Sequence, residues 1–446
     1  MNTNAKNIEI KLKEILKNNA DANMIDVDNN FRLYYLTSMI YVDKLVSAIK
    51  EPYYNLNKDY SQFISSIMNE FSDTSNITSM LTQGMVIGVF NNKVYSTTLA
   101  AKKESRKIDE VLRESVYEGP LSGFVENVET NLNIIRQFYN KKELIVKEFK
   151  LGTISKYKSY LIYDREFADD NIIKSITHRL NSITTPMVQS LTELQQILDN
   201  KQHLCPRILI TERFDRTVKQ ISQGKIVIIL NGAPKALIAP STFNQFIASA
   251  DNYYLHPIPS LFLLLLRYLA LLAALILPGL YIALSAYNTE IMRVQIALSI
   301  AASRAGVPYP SYVEVLIMLV MMEFLIEASL RLPKNIGQAG TTVGGIILGQ
   351  AATQANLVSN VMIIIVAAVA ISNFVIPINS MNLTIRVSKY ILLFLASIAG
   401  LAGLFIGFLA LMYYLFTLHS LGKPFFNPVG SFNISHTRAF FRKGQT

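Results

Sequence analysis

The chain has 446 residues, 51% of them hydrophobic, with 42 Lys and Arg against 32 Asp and Glu, five His, one Cys and no Trp. A single cysteine cannot build a disulfide framework, and the five scattered histidines lack metal-ligand spacing, which excludes a disulfide-stapled scaffold and a His/Cys metal centre. The excess of ten positive charges does not point to nucleic acid: from Pro257 onward eleven bases meet four acids, and those bases sit between apolar runs, where they mark cytoplasmic membrane flanks.

The remaining 31 bases and 28 acids leave the first 256 residues nearly neutral and soluble-looking. Residues 1–29 read as a helical or flexible lead without a continuous apolar core, so no cleavable signal peptide is expected and the front region is expected to stay in the cytosol. Two cytosolic subdomains of α+β (α/β-type) character follow, 30–142 and 143–256. The Gln83-Gly84 segment leads through an apolar run to Asn91-Asn92, and 140 residues later Gln223-Gly224 leads through another to Asn231-Gly232. Each reads as a strand, a turn that tolerates positive φ and a return strand, so each subdomain is expected to hold a hairpin. Further strands are predicted over 144–149 and 159–163, and helices over 106–115, 125–138, 170–177 and 185–198.

The back half is parsed by length, because a bilayer crossing needs about 20 apolar residues. Residues 268–287 form a first crossing around Pro278, 289–307 an amphipathic piece, 312–332 a second crossing, and 390–418 a final long one. Between them, 335–385 runs for 51 residues without a charge, roughly 75 Å at helical rise, so it must fold back as two crossings or as a re-entrant segment plus one. The re-entrant version keeps the basic tail, 419–446, on the same side as the front region. Tyr253, Tyr254, Tyr281, Tyr287, Tyr309, Tyr312, Tyr413 and Tyr414 fall near span ends, where tyrosine serves as an interface residue.

Chemistry concentrates on 311–359. Glu323, Glu327 and Arg331 are spaced four apart on one helix face, so one guanidinium, or a neighbouring subunit, can neutralise the two carboxylates; Glu314 faces elsewhere. This set reads as a helix clamp, as a cation-attracting or gating group, or as a solvated face. Gly337, Gly340, Gly344, Gly345 and Gly349 then offer either close helix packing or, with Thr341, Thr342, Gln350 and Gln354, a polar pore wall. Gly403 and Gly407 read as plain helix packing. No phosphate-binding glycine loop and no nucleophile elbow occurs, so enzymatic activity and a cofactor are not expected.

Glu327-Ala328-Ser329-Leu330-Arg331-Leu332-Pro333, with Gly337-Gln338 leading to Gly349-Gln350-Ala351-Ala352, resembles the signature of the A subunit of GerA-type spore germinant receptors. Upstream, Gly119-Pro120, Gly123-Phe124, Glu126, Thr130-Asn131, Thr211-Glu212-Arg213, Asn231-Gly232-Ala233-Pro234 and 251–254 resemble the family's cytosolic motifs in order. Phe214 stands where a proline is usual, Ile326 where an arginine is common, and Ser329 where a glycine is. The resemblance implies a multi-pass protein of the bacterial spore inner membrane, partnered by a polytopic nutrient-binding B subunit and a lipoprotein C subunit. It further implies that the chain homo-oligomerises through its membrane domain, 257–418, into a nutrient-gated cation channel. A non-conducting scaffold and a secondary transporter are the alternatives; no inverted repeat is visible for the latter.

Overall fold

The computed structural model describes residues 3–28, 30–55, 60–71, 77–91, 93–102, 114, 116, 118–120, 122–199, 203–332 and 334–426. Apart from Glu114, the predicted 106–115 helix lies outside the described residues, as do Asn92, Pro333 and the bases Arg438, Arg442 and Lys443. Two compact units result: one of 1–202, 208–241 and 420–423, the other of 203–207, 242–419 and 424–446.

The first unit is mixed α+β and carries two five-stranded antiparallel sheets. One contains β1 (Ala22–Asp28), β2 (Phe31–Leu36), β3 (Asn69–Glu70), β4 (Val86–Phe90) and β5 (Lys93–Thr97), in the order β1-β2-β4-β5-β3. The other contains β6 (Leu144–Leu151), β7 (Tyr157–Asp164), β8 (Leu209–Thr211), β9 (Ile226–Leu230) and β10 (Ala236–Ala239), in the order β6-β7-β9-β10-β8. The two orders are the same pattern, and the two hairpins legible in sequence, β4–β5 and β9–β10, occupy equivalent places in it.

Their entrances match to the hydrogen bond. Gly84 (φ 82°) and Gly224 (φ 78°) end the helices Ile77–Thr82 and Phe214–Ile221 in the left-handed conformation that favours glycine. Gly84 N–H donates to Leu81 O and Met85 N–H to Met80 O, each at 3.0 Å, just as Gly224 donates to Ile221 O and Lys225 to Gln220 O, at 3.0 and 3.1 Å. Both are Schellman caps, which satisfy the last helical carbonyls and turn the chain into a strand. The strands β1 and β2 carry no sequence signal as clear, because Asp26, Asp28 and Arg32 interrupt the apolar alternation.

Lys225 follows the second cap, and its Nζ donates to Pro240 O. Burial, with Lys423 nearby, pushes this amine down from 10.5 to about 8. Below that value both folded and unfolded chains carry the proton, and the cost of burying it is fully present; between pH 8 and 10.5 the folded chain releases it first, so stability rises. Lys225→Met is therefore expected to gain most over wild type below pH 8, with the melting-temperature difference shrinking as pH rises to 10.5, measured by thermal unfolding in detergent.

The second unit is helical: Pro257–Ile282, Val294–Arg304, Ser311–Arg331, Lys334–Gln354, Asn360–Val375 and Asn379–Thr417, with a π-helical turn Ala283–Tyr287 extending the first. Two described stretches are long and apolar enough to cross a membrane, Pro257–Tyr287 and Asn379–Thr417. The 39-residue stretch is not one rod, however. Ala399 and Gly400 leave helical geometry, and Gly407 lies so close to Leu392 that an added Cβ would come within 2.9 Å of it. Fifteen residues of straight helix would hold those positions about 22 Å apart. The final crossing expected over 390–418 is thus corrected to a helical hairpin, 379–398 and 401–417, in which Gly403 and Gly407 pack on the other leg.

Contacts order the remaining helices. Tyr287, Ser311, Ser359 and Gly400 share one end of the bundle, and the charge-free 335–385 segment turns back there at 355–359 and, at the opposite end, at 376–378, where Pro377 stops the helix. Six antiparallel passes result among the described residues.

Candidate functional site

The acidic helix Ser311–Arg331 begins after Pro310, whose fixed φ suits a helix entrance. One turn in, Glu314 is wholly buried. Its Oε1 accepts from the Ser359 N–H at 2.7 Å and the Ser359 Oγ at 2.6 Å; its Oε2 accepts from Tyr281 Oη at 3.2 Å and faces Arg304 Nε at 3.3 Å. Ser359 Oγ also caps the Asn360–Val375 helix through the Met362 N–H. A carboxylate in this setting is tolerable only because donors from three other segments surround it. Replacing Glu314 with Ala strands Arg304 and the Ser359 N–H, with an expected loss of about 3–5 kcal/mol, read as a lowered melting temperature in detergent.

Nine residues further, Glu323 is 18% exposed and does not use Arg331. Its Oε2 accepts from both Nε and Nη2 of Arg386, the former at 2.8 Å, and its Oε1 from Lys389 Nζ at 3.0 Å. Glu327 alone pairs with Arg331, at 2.7 Å, and that pair is 56% and 78% exposed. The expectation that Arg331 could neutralise both carboxylates is corrected accordingly: spacing along one helix does not disclose a stronger partner on another. Arg386 and Lys389 were legible only as flanking charges.

The glycine helix Lys334–Gln354 runs back along the acidic helix. A Cβ on Gly337 would meet Ser329 O at 2.9 Å, and one on Gly344 would meet Leu325 Cδ1 at 3.0 Å; Gly340 touches Leu332 more loosely at 3.8 Å. Gly345 and Gly349 face open space, beside exposed Thr342 and Gln350; the Thr341 side chain lies outside the described residues. The glycine run is therefore divided between a packed edge and an open one. Gly337→Ala is expected to destabilise by about 1–3 kcal/mol through overpacking, while Gly349→Ala leaves stability unchanged or slightly raised, by the same melting measurement.

In the first unit the scattered motifs meet. Arg213 is buried, bonds both Asp215 oxygens, and donates through Nη2 to Pro120 O at 3.0 Å. Phe124 N–H donates to Glu212 O at 2.9 Å, Thr211 Oγ1 to Glu114 Oε2 at 2.9 Å, and Gly232 N–H to Glu126 O at 2.8 Å. Asn131 clasps the Val125 backbone from both sides, Gly119 adopts φ 117°, and Gly123 is buried beside Phe124. Phe214 stacks on Phe138 at 4.6 Å. These bonds tie Glu114, Pro120, Phe124 and Glu126 to the second sheet and its Arg213 helix, fastening the strap that carries them.

Of the tyrosines expected at an interface, Tyr281 is instead buried at Glu314 and Tyr414 Oη accepts from the Leu204 N–H at 2.9 Å; Tyr253, Tyr254, Tyr287, Tyr309, Tyr312 and Tyr413 are exposed.

The model of the Bacillus/Clostridium GerA spore germination protein family matches residues 10–445. The chain is similar to spore germination protein B1 of Bacillus subtilis (strain 168), 36% identical over 73% of this chain and 68% of that protein, and to spore germination protein A1 of the same organism, 34% identical over 78% and 72%. Spore germination protein GerQA of Bacillus cereus is 30% identical over 94% of this chain and 86% of its own length. Among solved structures, the crystal structure of the N-terminal domain of the A subunit of the Bacillus megaterium spore germinant receptor GerK3 aligns with 53% of this chain and 94% of its own, at 22% identity and a TM-score of 0.39.

Proposed function

The chain belongs to the GerA family of spore germination proteins, and from that premise we propose that it is the channel-forming A-type subunit of a nutrient-responsive receptor in the spore inner membrane. Its six helical passes cross the bilayer, so that 257 and 417 lie on one side, as an even number of crossings requires, and that side is the cytosolic one expected for the front region. The five longer passes are 17 to 31 residues, and the 16-residue Asn360–Val375 pass, about 24 Å long, spans a locally thinned core. A polytopic nutrient-binding subunit and a lipoprotein complete the receptor.

One observation carries the conducting role. The acidic and glycine helices each leave an uncovered edge, with Glu327 and Arg331 toward one end of the pair and Gly345, Gly349 and Gln350 further along it. Copies of the chain arranged around these edges line a water path with small, uncharged groups and place a carboxylate ring at its mouth. The same open edges support the scaffold reading, in which they dock a partner and conduct nothing.

Purified chain in a planar bilayer, alone and with its partner subunits, decides between them: gated unitary conductance is expected, and silence in both preparations would leave the scaffold. Glu323→Gln is a poor probe of conduction, since it leaves two cations without their carboxylate. Glu327→Gln is a clean one. An exposed carboxylate attracts a cation with about 1 kcal/mol, so the variant is expected to lower cation conductance roughly fivefold without changing the melting temperature.

A further inference from the structure

Five acids belong to the helical unit: Asp251, Glu290, Glu314, Glu323 and Glu327. Asp251 faces Arg267 at 3.6 Å, Glu314 faces Arg304 at 3.3 Å, and Glu327 faces Arg331 at 2.7 Å. Glu290 lies in the Thr289–Ile291 turn, beside Asn288 at the Gly400 end of the bundle. Glu323 is therefore the sole carboxylate for both Arg386 and Lys389, and one positive charge is left over.

That charge is badly placed for solvent. Lys389 is wholly buried and Arg386 is 16% exposed, while its helix neighbours Leu383 and Val387, 56% and 51% exposed, make the surrounding outer surface apolar. Both Nε and Nη2 of Arg386 are spent on Glu323, and Nη1 has no partner among the described residues. Glu323 sits eight residues, about 12 Å, inside the Arg331 end of its helix, and its grip holds the guanidinium at that depth, away from lipid phosphates. An uncompensated cation at such a depth is costly unless a carboxylate meets it.

We propose that Arg386 is the docking point for an acidic side chain on a membrane-spanning segment of a partner protein other than a second copy of this chain. A second copy is a poor source, because its Glu327 would have to abandon Arg331 and its other acids are engaged or at the bundle end. The partner's carboxylate meets the free Nη1 edge and brings the cluster to neutrality, with two acids facing two bases. The site rests on the membrane placement proposed above.

The test uses the full chain in membranes that also contain the complete receptor, with the photo-cross-linker p-benzoylphenylalanine at Val387. The cross-link is expected to map to a spanning segment of a different protein that carries Asp or Glu. Arg386→Met, which leaves Glu323 matched one to one by Lys389, is expected to accumulate in membranes as wild type does and to lose the cross-link at least tenfold. Neutralising the mapped acid in the partner, with this chain unaltered, is expected to cause the same loss even should Arg386→Met fold poorly. A cross-link to a second copy, to lipid only or to a segment without an acid, or one that survives neutralisation of the acid, overturns the proposal. Release of the chain by carbonate washing would instead overturn the membrane placement itself, so the two failures are distinguishable.

Discussion

The helical half is organised around a buried negative charge. Glu314 has no access to water, so burying its carboxyl group is tolerable only where protein dipoles and a cation stand in for hydration. Tyr281, Arg304 and Ser359 supply that replacement, and each comes from a different segment. Meeting one electrostatic requirement thereby fixes the ends of three helices and the approach of a fourth. Glu323 does the same at mid-depth for the hairpin leg that carries Arg386 and Lys389. The acidic helix is held at two heights by two unlike neighbours, which specifies its rotation as well as its position, something apolar packing alone does loosely.

Repetition, by contrast, organises the first unit. Two sheets of equal strand order, each entered through a helix, a Schellman-capped glycine and a hairpin, are built from segments with little sequence in common beyond Gln-Gly and a turn asparagine. The second sheet additionally receives the strap that contains Phe124 and Asn131, which Arg213 pins by bonding to Pro120 O while Asp215 balances its charge. Motifs separated by about ninety residues in the chain are thus parts of one fastening.

Much of this was readable from residues. The two hairpins followed from their turn chemistry, and the fold-back of 335–385 followed from chain length against bilayer thickness, because both depend on local or one-dimensional constraints. The partners of Glu323 did not follow, since periodicity ranks neighbours on one helix and is silent about which helix lies opposite. Likewise the reversal at Gly400 was hidden inside 29 residues without a charge, although the spacing of Gly400, Gly403 and Gly407 was a signal that backbone was meant to approach backbone. The strands β1 and β2 were obscured by Asp26, Asp28 and Arg32, charged residues that their neighbours tolerate through pairing of Arg32 with Glu9 and Asp26.

The Gly400 reversal also constrains how the chain folds. Its tip is completed by groups synthesised more than a hundred residues earlier: Asn288 Oδ1 accepts the Leu401 N–H at 3.2 Å, and Tyr287 Oη donates to Ser397 O. The turn between the two legs leaves helical hydrogen bonding, so its Leu401 amide lacks a protein acceptor until the end of the first helix arrives to receive it. Folding therefore couples the two ends of the helical unit: the tip of the hairpin is complete only once the end of the first helix lies against it.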